Sequence, residues 1–153
     1  MKKYIGTKVV FAKPMTRGEY NLYRGWQIPA NENPDDNGYL VKYSDNYESW
    51  SPAAAFDESY HLTDRMSFGH AIMCMKMGHR VARCGWNGKG QYVFLADDVA
   101  FHTNADISEF YGSADGVYAA PMLVLRTAQG NLQPGWLASQ SDMLAEDWMI
   151  VEV

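Results

Sequence analysis

Two short stretches concentrate the side chains able to hold or transform a ligand. Cys84-Gly85-Trp86-Asn87-Gly88-Lys89-Gly90 and Gly135-Trp136-Leu137-Ala138-Ser139-Gln140-Ser141-Asp142 each set a Trp beside small residues and neutral hydrogen-bonding groups. A flat aromatic face next to amides, hydroxyls and bare backbone suits a polar, ring-containing small molecule. Chemistry on that molecule would need more. Asp142 and Asp147 are the nearest carboxylate pair, but their spacing alone does not make them converge as acid and base. Ser139 and Ser141 lack the glycine elbow of a nucleophilic serine, so the plain reading is a helix cap, whose outward amides could also receive a phosphate. The sequence therefore predicts no catalytic residues and no enzyme.

Other constellations are weaker. His70 and Cys74 fall one helical turn apart, but no second pair completes a tetrahedral metal set, so no metal and no cofactor is expected. Gly85 to Gly90 is not a Walker loop, because the GxxxxGK[ST] order is missing. It reads either as a backbone nest for an anion, with Lys89 adding charge, or as a hairpin turn of type I′ at Asn87-Gly88. Arg126 closes an apolar strand, where it could grip phosphate or make a surface ion pair.

The elements that position these residues read as follows. Lys8 to Ala12 is a short strand. Thr16-Arg17-Gly18-Glu19 is a capping box that opens a helix running to about Tyr23, which Gly25-Trp26 stops. Residues 29–38 are a loop. Gly38 to Trp50 is a hairpin, and Ser51-Pro52 opens a second helix, with Ser as cap and Pro at the first helical position. Ser67 caps a helix with Phe68, Ala71, Ile72 and Met75 on one face, and Gly78 ends it. Strands follow at 79–84, 91–96, 122–127 and 148–153, with a long insertion at 97–120 that contains a helical turn at 107–111. The expected class is α+β, with antiparallel sheets and short helices packed on one face. Two halves echo each other in a helix, a Gly-Trp turn, a hairpin, a Trp and a helix. Duplication would give that pattern, and so would chance among common turn residues.

The net charge of −5 argues against polymeric nucleic acid, which needs a basic footprint. Cys74 and Cys84 form no CxxC motif and suit a reduced compartment. No apolar leader and no apolar run near 18 residues occurs, so a cytoplasmic protein away from membranes is expected.

From Met66 to Val153 the chain resembles the second type of phage Thoeris anti-defence protein. The resemblance rests on Ser67-Phe68-Gly69-x-Ala71, Lys76-Met77-Gly78-His79-Arg80-Val81, Gly85-Trp86-Asn87-Gly88-Lys89-Gly90-x-Tyr92, Leu125-Arg126-Thr127-Ala128 and the tail from Trp136 to Trp148. It implies a homo-oligomer, dimer or tetramer, with pockets at subunit interfaces in the host bacterial cytoplasm. Such a sponge sequesters a cyclic ADP-ribose isomer, or a cyclic oligonucleotide signal, without degrading it. It further implies that Trp86 and Trp136 are aromatic walls. Asn87, Ser139, Gln140 and Asp142 would bond ribose and base edges. Gly88, Lys89 and Arg126 would face the pyrophosphate, with Tyr92 and Thr127 as further contacts. Residues 1–65 resemble an extension found on phage proteins, and the insertion exceeds the minimal connection of the family. A phage structural or protein-interaction module is the alternative, with a cyclic-nucleotide hydrolase behind it.

Overall fold

The computed structural model describes residues 1–97, 100–101, 117–118 and 120–152. The expected helical turn at 107–111, His102 and the strand end at Val153 lie outside them. The chain divides into two compact units, Met1–His61 and Leu62–Val153.

The first unit is a three-stranded antiparallel sheet, β1 (Phe11–Pro14), β2 (Gly38–Lys42) and β3 (Glu48–Pro52), in that order. Helix α1 (Arg17–Tyr23) opens with the predicted capping box: Thr16 Oγ1 accepts from the Glu19 amide at 3.2 Å, and Glu19 accepts from the Thr16 amide at 2.7 Å. Gly25, at φ +71°, ends it. Arg17 sits 5.1 Å over the Trp50 ring, and the Tyr23 hydroxyl donates to Glu48, so α1 covers the face carrying Leu40 and Trp50. Helix α2 (Ala53–Ser59) covers the other face, where Phe56 stacks on Tyr39 with centroids 4.2 Å apart. The loop at 29–37 is tied to α1. Glu32 accepts from Arg17 Nε at 2.6 Å and from Asn21 at 3.0 Å. The Gly18 amide donates to Pro34 O, and a Cβ on Gly18 would stand 2.8 Å from Pro34 Cβ.

Two local expectations shift here. Strand β1 starts at Phe11 rather than Lys8, because β2 ends at Lys42, opposite Phe11, and leaves residues 8–10 without a ladder partner. Ser51 does not cap α2. Ser51 and Pro52 belong to β3, paired with Tyr39 and Gly38, and Pro52 takes the cap position without a side-chain cap bond. Proline is tolerated there because β3 is an edge strand.

The second unit holds a five-stranded antiparallel sheet in the order β10 (Trp148–Val151), β4 (Arg80–Arg83), β5 (Tyr92–Ala96), β8 (Met122–Arg126), β9 (Leu132–Pro134). The two-residue strands β6 (Ala100–Phe101) and β7 (Val117–Tyr118) pair separately. Helix α3 (Phe68–Lys76) is capped by Ser67 and ends before Gly78, at φ +90°. It buries Ala71, Cys74 and Met75 against Val81, Val93 and Trp148. The fold is α+β, and the described residues form antiparallel sheets of three and five strands, the short β6–β7 pair and four short helices. In the first half Gly25-Trp26 follows helix α1 directly, whereas in the second strand β4 stands between α3 and Gly85-Trp86.

Side chains alternate along a strand, so register sorts this sheet into two faces. Val81, Val93, Leu95, Leu123 and Leu125 face α3. Arg80, Tyr92, Phe94, Val124 and Arg126 point to the opposite face. The start of β5 and β10 and the end of β4 and β8 gather at one end of the sheet.

Candidate functional site

At that end, on the α3 side, three tryptophans meet edge to face. Trp86 lies 6.0 Å from Trp136 and 5.5 Å from Trp148, and Trp136 lies 6.3 Å from Trp148, between ring centroids. Regular alternation along β9 would send Trp136 to the other face with Leu132 and Pro134. Gly135, at φ +75°, breaks the alternation and turns the ring onto the cluster. Trp148 is fully buried, while Trp86 and Trp136 are half-buried and keep some surface in solvent.

Helix α4 (Gln140–Met143) frames the cluster. Ser139 is its cap and Asp142 completes a capping box, so the cap reading of Ser139 holds. Asp142 is bonded at both oxygens. Oδ1 accepts from Arg83 at 3.0 Å and from Trp86 Nε1 at 3.1 Å. Oδ2 accepts from the Ser139 amide at 3.1 Å and hydroxyl at 2.7 Å. Asp147 shares Arg83, through Nε at 2.8 Å, and accepts from the Gly85 amide at 2.9 Å. The approach is close, since a Cβ on Gly85 would stand 3.0 Å from that carboxylate oxygen. Trp148 Nε1 donates to Asp142 O at 2.9 Å.

Burial pushes the Asp142 carboxyl up, but the hydrogen bonds from Ser139, Arg83 and Trp86 outweigh it and hold it at about 2, against an ordinary 3.8. The Arg83 bond, against a smaller opposing effect of burial, likewise holds Asp147 below its ordinary value. A carboxyl depressed on folding stabilises above its unfolded value and loses that contribution as pH falls towards its folded value. The second unit is therefore expected to lose melting temperature below about pH 4, most steeply towards pH 2, with Asp142→Asn flattening the profile. Melts followed by circular dichroism check this. A flat wild-type profile would mean that these bonds contribute nothing.

The remaining candidates fall elsewhere. Asn87, Lys89, Ser139 and Gln140 are exposed around the cluster. Asn87-Gly88 does not form the type I′ turn, because neither residue has positive φ; Gly90 does, at +69°. The Gln91 side chain instead packs so close to Gly88 that a Cβ there would meet it at 2.1 Å. Tyr92 and Arg126 pair across β5 and β8 on the sheet face away from α3. Arg126 makes no ion pair with a described residue and donates to Gly90 O at 2.8 Å. Thr127 Oγ1 is buried without a hydrogen-bond partner among the described residues. His70 bonds Ser67 Oγ at 3.1 Å, and the buried Cys74 thiol points at the Met66 sulfur, 3.7 Å away.

Two residues important here carry no local signal in the sequence. Arg83 reaches partners 59 and 64 positions away. Arg80 lies 5.2 Å over the Tyr92 ring.

The model of the Thoeris anti-defense 2-like domain matches residues 66–151. The chain belongs to the Thoeris anti-defense 2-like family. The Thoeris anti-defense 2 protein of Bacillus phage SP01 is 36% identical over 95 residues, which are 59% of this chain and 99% of the phage protein. The Thoeris anti-defense 2-like segment spans α3, the five-stranded sheet and the tryptophan cluster. Residues 1–61, the first unit, lie outside it. Among the described residues, no helix is long and apolar enough to cross a membrane.

Proposed function

We propose that this Thoeris anti-defense 2-like protein is a phage anti-defence protein that binds a cyclic nucleotide immune signal and holds it unchanged. The signal would be a cyclic ADP-ribose isomer or a cyclic oligonucleotide, captured in the host bacterial cytoplasm. The observation that carries the reading is the commitment of Asp142 and Asp147. Both are bound to Arg83, both are held well below neutral pH, and Asp142 has four donors on its two oxygens. A general acid must carry a proton near pH 7, and a base needs a free lone pair directed at substrate. Neither carboxylate carries a proton near pH 7, and the four donors on Asp142 occupy the lone pairs that a base would use, which favours capture over hydrolysis.

Trp86 and Trp136 then serve as walls, with exposed Asn87, Lys89, Ser139 and Gln140 supplying polar contacts. Asp142 acts through Ser139 and Trp86, holding them in place. Leu137 and Leu144, 87% and 81% exposed on either side of Ser139 and Gln140, supply apolar surface for a subunit contact. That exposed apolar surface supports a dimer or tetramer with pockets at its interfaces.

Sequestration needs only a dissociation constant below the working concentrations of protein and signal. Titration calorimetry with cyclic ADP-ribose isomers and cyclic di- and trinucleotides is expected to give submicromolar binding to one class. Heating the complex should release ligand of unchanged mass. Recovery of hydrolysed ligand would overturn the reading, as would no binding of any of them.

A further inference from the structure

Charge is divided unevenly along this chain. All 18 acids lie beyond Gly18, whereas Lys2, Lys3, Lys8, Lys13 and Arg17 lie before it. Among these cations stand Tyr4, Ile5, Val9 and Phe11, all exposed. The result is a basic arm with apolar side chains that leads into β1, an edge of the three-stranded sheet. Lys8 lies 5.3 Å over the ring of Tyr43, which keeps the arm beside the end of β2.

The free edge of β1 can be read from its bonds. Met15 donates to Gly38 O at 2.9 Å, one step beyond the Pro14–Tyr39 rung. Bonding alternates along an antiparallel strand, so Lys13 and Phe11 also turn their backbone groups towards β2. Ala12 and Val10 turn theirs outward, as does Pro14, which has no N–H to offer. A bare edge is a template for another strand, and lysines on it deter pairing between copies of the same chain. The same charge attracts a strand of opposite sign, so these lysines select a partner rather than close the edge. A lipid surface or a nucleic acid would meet the lysines but would leave the Ala12 and Val10 groups without a ladder.

We propose that β1 and the arm before it take up an acidic, extended peptide segment of another protein, which adds to the free edge as a fourth strand. This surface lies in the first unit, outside the segment that matches the family, and stands apart from the sequestration reading.

Titration of the full chain with a blocked peptide of about nine residues, alternating Glu with Val, is expected to saturate below about 1 mM. The Ala12 amide should gain protection from hydrogen exchange as the peptide binds. Raising the salt from about 0.05 to about 0.5 M should weaken binding by about tenfold. Placing Pro at an inner Val of the peptide, or making Ala12→Pro in the protein, removes an edge donor at unchanged charge. Each should cost about tenfold, the scale of one backbone hydrogen bond with its strand geometry. Lys8→Glu combined with Lys13→Glu should reverse the preference, from the Glu peptide to its Lys counterpart. That pair carries the test if Ala12→Pro fails to fold. The proposal is overturned if wild type shows no saturation, or if the Pro peptide binds as well as its parent. The second result, with the salt response kept, would assign the arm to polyanions in general, such as lipid headgroups or nucleic acid.

Discussion

Arg83→Gln should destabilise residues 62–153 by about 3 kcal/mol, because it strips the cation from two carboxylates at once. Arg83 is the only described cation within ion-pair distance of Asp142 and Asp147, and its side chain is only 19% exposed. The variant leaves two neighbouring negative charges, one of them in a side chain 14% exposed. Gln can donate to one of them but cannot neutralise either. For a unit of this size the loss corresponds to roughly 12 to 24 °C in melting temperature. The acid response should also weaken. Without Arg83 both carboxyls lose one of the bonds that hold them low, while Asp142 keeps those from Ser139 and Trp86 and Asp147 keeps that from Gly85. The variant should therefore lose less stability than wild type as the pH falls below about 4. Adding Asp147→Asn should recover part of the loss. Urea unfolding at two pH values, followed by circular dichroism, measures all of this. A loss below about 0.5 kcal/mol would reduce the network to a solvated surface pair.

Trp148→Ala is expected to be more damaging, at about 3 to 5 kcal/mol. The ring is fully buried, lies 5.3 Å from Phe68 and touches both other tryptophans. Its indole N–H also satisfies the carbonyl of Asp142 in the last turn of α4. Removal therefore opens a cavity beneath Trp86 and Trp136 and leaves the Asp142 carbonyl with only the backbone amides of Leu144 and Ala145 as donors. Against a domain stability of about 5 to 15 kcal/mol, the unit should be partly unfolded at 37 °C. Trp148→Phe keeps most of the volume but not the donor, and should cost less. Denaturant midpoints decide it. Equal midpoints for Trp148→Ala and wild type would mean that the cluster is not part of the core.

What was legible in the sequence was local. The Thr16 box, the Ser139 and Ser67 caps, and the stops at Gly25 and Gly78 depend on residues within one turn of each other, so spacing was enough. The misreadings were decided by register. Ser51-Pro52 has the composition of a helix start, yet its backbone is held by Gly38 and Tyr39 across the sheet. Lys8 to Val10 reads as strand, but its neighbour ends too early to pair with it. In the site, Trp86, Trp136, Ser139 and Asp142 were found by residue type, and the fold brings them together. Arg83 and Arg80 were not, because sequence spacing says nothing of a partner some sixty positions away or on an adjacent strand. The separation of Tyr92 and Arg126 from the tryptophans depends on strand parity, which fixes only after pairing.

The pairing of β5 with β8 has a consequence for how this scaffold diversifies. Ala96 and Met122 are direct cross-strand partners, so the chain leaves and re-enters the sheet at neighbouring points, and four rungs below them fix the register. Whatever is inserted between those two points closes a loop on a base that is already set, and each doubling of its length adds only about 0.6 kcal/mol in closure entropy. The span can lengthen, shrink or be replaced without moving a strand of the five-stranded sheet. It is a natural grafting point, where a lineage could try new surfaces on an inherited sheet.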